Sequence, residues 1–242
     1  GAPKGVMTSF GNILAQLKDL NVVMKPIFTA KDTRILSILP MNHLFELTVG
    51  FTTFLNMGFS VYYTKSLKPK DCLNIIKDRK IHFMISVPAF LRLMKTTLEA
   101  EMRNAPKIYQ MLFKFNFSYV AKFIPFRWVK KLLFRRLHNC FGGHFRSFMS
   151  GGAPYDFETA KFFRRIGIEV YEGYGLTETS PVASFNSGWN RDLNSFNTAV
   201  YLGPSPNSNK QAVIDNWKQY RNKDIEIDEK QIKKEYYGEE LD

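Results

Sequence analysis

The chain has 242 residues, of which 45% are hydrophobic and 23% charged, with 22 phenylalanines and two cysteines. This is the make-up of a globular protein, one large α/β domain or one and a half ordinary ones, and it excludes a disulfide framework because Cys72 and Cys140 stand alone. The net charge of +12 is uneven: residues 102–155 hold ten basic groups and no acid, whereas the last 53 residues, from Asn190, carry eight basic and ten acidic groups. Neither cysteine has metal-ligand spacing around it, which fits reduced thiols in a cytoplasmic setting. No signal peptide is expected, since the start lacks a charged segment followed by an apolar run. The most apolar long stretch, residues 35–63, is interrupted by Asn42, His43, Glu46 and Asn56, so no spanning helix is expected either.

In chain order, Gly1-Ala2-Pro3-Lys4-Gly5-Val6 places a lysine among glycines. Exposed backbone N–H groups and a point charge are what a phosphate cradle needs, although PKG alone is a common turn. Residues 9–24 carry apolar side chains at 10, 13, 14, 17, 20 and 23, which predicts a helix capped by Ser9. Residues 35–39 predict a buried strand ended by Pro40. Then comes Pro40-Met41-Asn42-His43-Leu44-Phe45-Glu46, with a single histidine. An isolated histidine of this kind is ordinarily a helix cap satisfied by backbone.

Residues 59–63 predict a strand after Gly58, residues 69–80 a helix with Pro69 in its first turn, and residues 81–87 a further strand. Pro88 opens a helix to about Arg103. Short buried strands alternating with helices predict an α/β fold with a mainly parallel sheet covered on both faces. The many phenylalanines suit a deep apolar pocket and equally a plain core.

Residues 103–146 form the basic segment. Trp128, Val129, Leu132, Leu133 and Leu137 lie at helical spacing among Arg127, Lys130, Lys131, Arg135 and Arg136. One reading is a basic amphipathic helix at an anionic membrane surface, with Trp128, Phe126 and Phe134 entering the headgroup region. The plain alternative is a surface helix whose rings pack on the core. Interleaved bases and aromatics also suit RNA, but no RNA-binding signature accompanies them and no nucleic-acid partner is expected.

Residues 150–181, SGGAPYDFETAKFFRRIGIEVYEGYGLTETSP, read as glycine turn, helix, strand and polar turn. Gly151, Gly152, Ala153 and Pro154 leave a strand end almost bare, so a flat group can approach the backbone. Glu172-Gly173-Tyr174-Gly175-Leu176-Thr177-Glu178-Thr179 then gathers a ring, hydroxyls and carboxylates at the next strand end. Ligands of open α/β sheets bind outside the carboxyl ends of strands. A ring can stack on a base, a hydroxyl can bond a phosphate, and a carboxylate can hold Mg²⁺.

The GGAP turn followed about twenty residues later by YEGYGLTETSP resembles the adenylate-forming, AMP-binding superfamily, within it most nearly the long-chain fatty acid–CoA ligases. The resemblance covers residues 1 to about 206 and corresponds to the middle of a longer enzyme, its large N-terminal domain incomplete at both ends. It implies that Tyr174 flanks adenine, that Thr177 contacts the α-phosphate and that Glu178 binds Mg²⁺. Gly151, Gly152, Ala153, Glu172, Gly173 and Gly175 would line the nucleotide pocket, with Lys4 and Gly5 the tail of the phosphate loop. His43 would sit near the carboxylate being activated, in a positioning role, and residues 44–54 would help wall the acyl tail.

The implied reaction uses ATP, Mg²⁺ and CoA to convert a fatty acid through an acyl-adenylate to acyl-CoA, and the chain by itself is expected not to turn over. Two alternatives stand beside it. One is adenylation of another carboxylic acid for a carrier protein, which a charged residue in the pocket wall would favour, and residues 44–54 offer only Glu46. The other is a nucleotide- or lipid-binding remnant without catalysis. Residues 207–242, rich in Asn, Lys, Glu and Asp, are expected to be a divergent and partly disordered tail.

Overall fold

The computed structural model describes residues 5–25, 27–28, 32–153, 157–186 and 198–200. The chain divides after residue 205 into two units, and the described residues all belong to the first. The expected tail at 207–242, Lys4 and Pro154 lie outside the described residues.

Helix α1 (Phe10–Met24) begins at the expected cap. The Ser9 hydroxyl accepts the Asn12 N–H at 3.2 Å, and Asn12 Oδ1 accepts the Ser9 N–H at 2.9 Å, so two donors of the first turn are satisfied reciprocally. The buried face keeps Leu17 and Leu20 of the expected apolar stripe but not all of it. Phe10 and Leu14 are exposed, while Asn12, Gln16, Leu17, Leu20 and Met24 face inward. Periodicity reports which side of a helix is apolar, but here Gln16 finds a buried partner that turns the helix toward it.

Strands β1 (Arg34–Ser37), β2 (Ser60–Tyr63), β3 (Phe83–Ser86), β4 (Ser147–Gly151) and β5 (Glu169–Tyr174) form a parallel sheet in the order β2-β1-β3-β4-β5. Two short antiparallel strands, β6 (Ser184–Asn186) and β7 (Thr198–Val200), extend it beyond β5 and were not expected from the sequence. All four residues of β3 and all five of β4 are buried, which is why they read as unbroken apolar or small runs.

Two cores lie on the two faces. One joins Leu36, Met84 and Phe148 to α3 (Pro69–Asp78), α4 (Pro88–Arg103), α7 (Arg135–Cys140) and α8 (Phe157–Ile166). Proline at the first position starts both α3 and α4, where its missing N–H costs nothing. The phenylalanines here are plain core: Phe141 and Phe145 stack at 4.8 Å, and Phe145, Phe148 and Phe163 continue at 4.7 and 5.0 Å. The other core joins Ile35, Phe83, Ile85 and Met149 to α1 and to a π-helical segment (Glu46–Thr53) that runs into the short α2 (Phe54–Asn56).

The basic segment is not one amphipathic helix. It forms α5 (Lys107–Phe115), a π-helical turn (Asn116–Val120), α6 (Arg127–Leu133) and α7, with the break at Phe134. Phe134 is buried, not a surface ring, and packs edge-on against Phe113 at 5.7 Å. Trp128 and Phe126 are exposed as expected, together with Phe115, Tyr119 and Phe123. Among the described residues no helix is long and apolar enough to cross a membrane, and no group of three potential metal ligands occurs.

Candidate functional site

The site is built where β4 and β5 end side by side. Their parallel register pairs Ser150 with Glu172 and Gly151 with Gly173, so the GGA turn and the YEGYG strand end emerge from one edge. Gly151 is required by close approach: a Cβ there would stand 3.2 Å from the Gly173 carbonyl oxygen and 3.2 Å from Cζ of Phe45. Gly152 follows at φ +83°, the left-handed region that favours glycine. Gly152 and Ala153 are exposed, and Tyr174 beside them shows 58% of its surface. The result is a bare backbone edge with one ring standing next to it.

After Tyr174 the chain turns on Gly175, whose absent side chain leaves room for the Pro181 carbonyl; a Cβ would collide with it. A short 3-10 turn (Thr177–Thr179) follows. Thr179 holds this turn together, because its hydroxyl accepts the Leu176 N–H at 2.9 Å and lies 2.9 Å from the carbonyls of Leu176 and Pro181. Thr177 and Glu178 are exposed, and their side chains make no hydrogen bond or ion pair among the described residues. One threonine therefore organises the turn and leaves the other, with the carboxylate, available to a ligand.

The loop beyond is tied to α1. Gln16 Nε2 donates to the Val182 carbonyl at 3.1 Å in a buried position. No sequence signal pointed to Gln16, since a glutamine on a helix reads as a solvent-facing residue.

On the other side of Gly151 stands the histidine turn. The Phe45 N–H donates to Nδ1 of His43 at 3.3 Å, which leaves Nε2 as the protonated nitrogen of the neutral ring. His43 is exposed. Its neighbour Phe45 packs on Gly151, so the turn lies at the same edge of the sheet.

Glu46 is spent inside the fold. It is fully buried, and its two carboxylate oxygens accept from the Ser37 hydroxyl at 2.6 Å and the Tyr63 hydroxyl at 2.7 Å. Burial pushes its pKa up, against the two hydroxyl bonds and the nearby His43, which pull it down. Burial and the adjoining carboxylate push Tyr63 up as well. Gly50 leaves the space, since a Cβ there would overlap the Glu46 carboxylate. The one acidic residue of the 44–54 wall is thus committed to two hydroxyls.

Two more residues were missed. Ser86 and Ser150 are register partners on β3 and β4, and the hydroxyl of each is buried without a hydrogen-bond partner among the described residues. Serines inside apolar strands carry no pattern that separates them from filler. Gly5 is exposed with open space where a Cβ would be, so nothing in its described surroundings demands a glycine.

The donor set at Glu178 fits Mg²⁺ in one respect: this ion keeps much of its water and takes one or two carboxylates together with substrate phosphates. A lone exposed carboxylate beside a free hydroxyl is compatible with that demand, whereas a resident all-protein cage would need more ligands.

A family model described as AMP-binding enzyme matches residues 1–221. Long-chain-fatty-acid–CoA ligase 3 of Saccharomyces cerevisiae is 27% identical over 183 residues, covering 74% of this chain and 26% of the yeast protein. Long chain acyl-CoA synthetase 8 of Arabidopsis thaliana is 29% identical over 205 residues, covering 77% of this chain and 28% of the plant protein. The chain thus spans about a quarter of the length of these relatives. Among solved structures, the N-terminal domain of FACL13 from Mycobacterium tuberculosis superposes with a TM-score of 0.51 at 21% identity, covering 76% of this chain and 36% of that one. This last likeness is one of fold.

Proposed function

The chain belongs to the AMP-binding enzyme family, and from that premise we propose that it carries the nucleotide-binding edge of an enzyme that activates a long-chain fatty acid for transfer to CoA. The observation that carries the reading is the juxtaposition of a bare glycine turn, a half-exposed ring and an exposed Thr-Glu pair, unpaired among the described residues, at two neighbouring strand ends.

In the first step a carboxylate oxygen of the acid attacks the α-phosphorus of ATP. The bond to the bridging oxygen breaks and pyrophosphate leaves with the electron pair. In the second step the thiol sulfur of CoA attacks the acyl carbonyl, its proton is lost, and AMP leaves. No covalent enzyme intermediate is involved, so the protein's task is to position the reactants and stabilise charge.

Tyr174 stacks on the adenine, and the backbone of Gly151, Gly152, Ala153, Glu172, Gly173 and Gly175 lets the base lie close. The Thr177 hydroxyl donates to an α-phosphate oxygen. Glu178 would hold Mg²⁺ together with water and phosphate oxygens, and the bound ion would supply charge neutralisation. His43 offers Nε2–H to the carboxylate being activated, as a positioning residue. Lys4 and Gly5 extend the phosphate contacts. Glu46, already bonded to Ser37 and Tyr63, cannot serve a charged substrate, which favours a plain apolar acid over an amino acid.

A surface role for residues 103–146 accompanies this reading. The exposure of Phe115, Tyr119, Phe123, Phe126 and Trp128 in an acid-free segment favours contact with an anionic membrane, from which a long-chain acid would be drawn.

Tail specificity is tested with a series of non-hydrolysable acyl-adenylate analogues of increasing chain length. A buried methylene is worth about 0.8 kcal/mol, so affinity should rise roughly fourfold per added CH₂ until the pocket is filled. A flat series would remove the long-chain assignment and leave adenylation standing.

A further inference from the structure

At the opposite edge of the sheet, where β3 and β4 begin, lies an open hollow of about 710 Å³. The length of the strands, roughly 15 Å, separates it from the glycine turns. His82 and Arg146 immediately precede the two strands, and the Arg146 N–H donates to the His82 carbonyl at 2.7 Å. Helix α6 contributes Arg127 and Lys131 to the lining of the hollow, and the turn before β4 contributes Gly143 and His144. Phe126 and Trp128 form the rim, 60% and 70% exposed.

Among the described residues no carboxylate lines this space. Asp32, which acts on His82 through its charge, is paired with Arg34 at 2.7 Å, and Glu169 accepts from the Tyr171 hydroxyl at 2.6 Å. The cations differ in how far they are committed. Arg127 donates to the carbonyls of Gly167 at 3.1 Å and Phe145 at 2.9 Å, and Lys131 donates to that of Gly143 at 2.7 Å. The Arg146 guanidinium makes no hydrogen bond or ion pair among the described residues.

His82 adds a neutral donor. Its Nδ1 accepts the Arg34 N–H at 3.2 Å, so the ring proton resides on Nε2. Burial, with Arg146 and His144 nearby, holds it below the ordinary histidine value, which keeps it uncharged. Arg127 feels the Glu169 carboxylate as well as Arg146, but Arg127, Lys131 and Arg146 share one concave space that no carboxylate of the described residues lines, and an anion there would relieve their mutual repulsion.

We propose that this hollow is a second binding site, for a phosphate-bearing anion, with Arg146 as its principal partner. Donors from Arg146, His82 and Lys131 come from three separate elements. That suits a tetrahedral oxyanion with several acceptors better than a planar carboxylate, which one guanidinium fork satisfies. A free phosphate ester and a lipid headgroup share this chemistry; the exposed rings at the rim favour the lipid. The site uses none of the residues of the nucleotide edge and stands independently of the adenylation reading.

The test uses the 242-residue chain at low salt with two probes. One is glycerol 3-phosphate in a calorimetric titration. The other is co-sedimentation with phosphatidylcholine vesicles, with and without a minor fraction of phosphatidic acid. Arg146→Gln should weaken whichever probe binds by about tenfold or more, as loss of a charge-assisted contact does. The double substitution Lys65→Gln with Lys70→Gln removes more charge, at exposed positions outside both the hollow and the acid-free segment, and should leave affinity within about twofold. Unfolding midpoints establish that each variant is folded, and Lys131→Gln carries the same expectation if Arg146→Gln is not. Arg146-dependent binding of glycerol 3-phosphate assigns a free ester; Arg146-dependent binding of phosphatidic acid vesicles alone assigns a headgroup. The proposal is overturned if neither probe binds, or if the Lys65/Lys70 variant loses as much as Arg146→Gln, which would make the attraction diffuse.

Discussion

Phe45 and Gly151 compete for one volume: Cζ of the ring lies 3.2 Å from where a Cβ at position 151 would stand. The contact joins the histidine turn after β1 to the glycine turn after β4. It explains why the bare strand end is bare on both sides.

Gly151→Ala therefore forces either the ring or the Gly173 carbonyl to move. Overpacking of this kind costs about 1–3 kcal/mol. The denaturation midpoint in urea should fall accordingly, and Phe45→Leu in the same background should recover part of the loss, because the side chain can yield where the backbone cannot. An unchanged midpoint for Gly151→Ala would show that the contact is slack.

Gln16→Leu keeps the bulk but leaves the buried Val182 carbonyl without its donor. A buried unsatisfied acceptor costs about 1–3 kcal/mol. Urea unfolding should register that loss, and adenylate-analogue affinity should fall with it because the polar turn is anchored through this bond. Equal stability of the variant would place Gln16 outside the fold's supports.

Glu46 makes stability depend on pH with a definite sign. Burial raises its pKa in the folded chain above the ordinary 4.5, so between that value and the raised one the folded state binds more protons than the unfolded state. Its contribution is fully present below pH 4.5 and is lost as pH rises through the raised pKa. The slope is at most about 1.4 kcal/mol per pH unit. Unfolding curves across the acid-to-neutral range should show it, and Glu46→Gln should abolish this component. An identical pH profile in the variant would mean that the carboxylate is not held protonated.

How much of this was legible follows from where each signal resides. Strands β1 and β3 were readable because parallel strands buried on both faces leave continuous apolar runs, and Pro69 and Pro88 mark their helices at the first position. The turn at 172–179 was readable because glycine, ring, hydroxyl and carboxylate seldom coincide without chemistry. Other features depend on distant partners. Phe134 breaks the basic helix because it is needed beside Phe113 and Phe117, at 5.7 and 6.5 Å. Gln16 is buried beside Leu17 and Leu20 because it bonds a carbonyl 166 residues downstream. Glu46 looked like a pocket charge until Ser37 and Tyr63 were found closing over it.

Glu178→Gln should leave stability within about 0.5 kcal/mol, since the side chain is exposed. It should remove the enhancement of ATP binding by Mg²⁺, measured as affinity with and without the ion. Retention of the full Mg²⁺ effect would take Glu178 out of the metal site.

The central claim is that the edge formed by Gly151, Tyr174 and Thr177 receives an adenylate, and calorimetric titration of the folded chain with a long-chain acyl-sulfamoyl adenosine tests it most directly. This analogue carries the adenine, the acyl tail and a mimic of the α-phosphate but no β- or γ-phosphate, so the Tyr174 substitution separates the contribution of that edge from that of the tail. The account predicts saturable one-to-one binding that Tyr174→Ala weakens tenfold or more, since stacking one base on a ring is worth about 1–3 kcal/mol. Absence of binding, or equal affinity in a folded Tyr174→Ala variant, would contradict it.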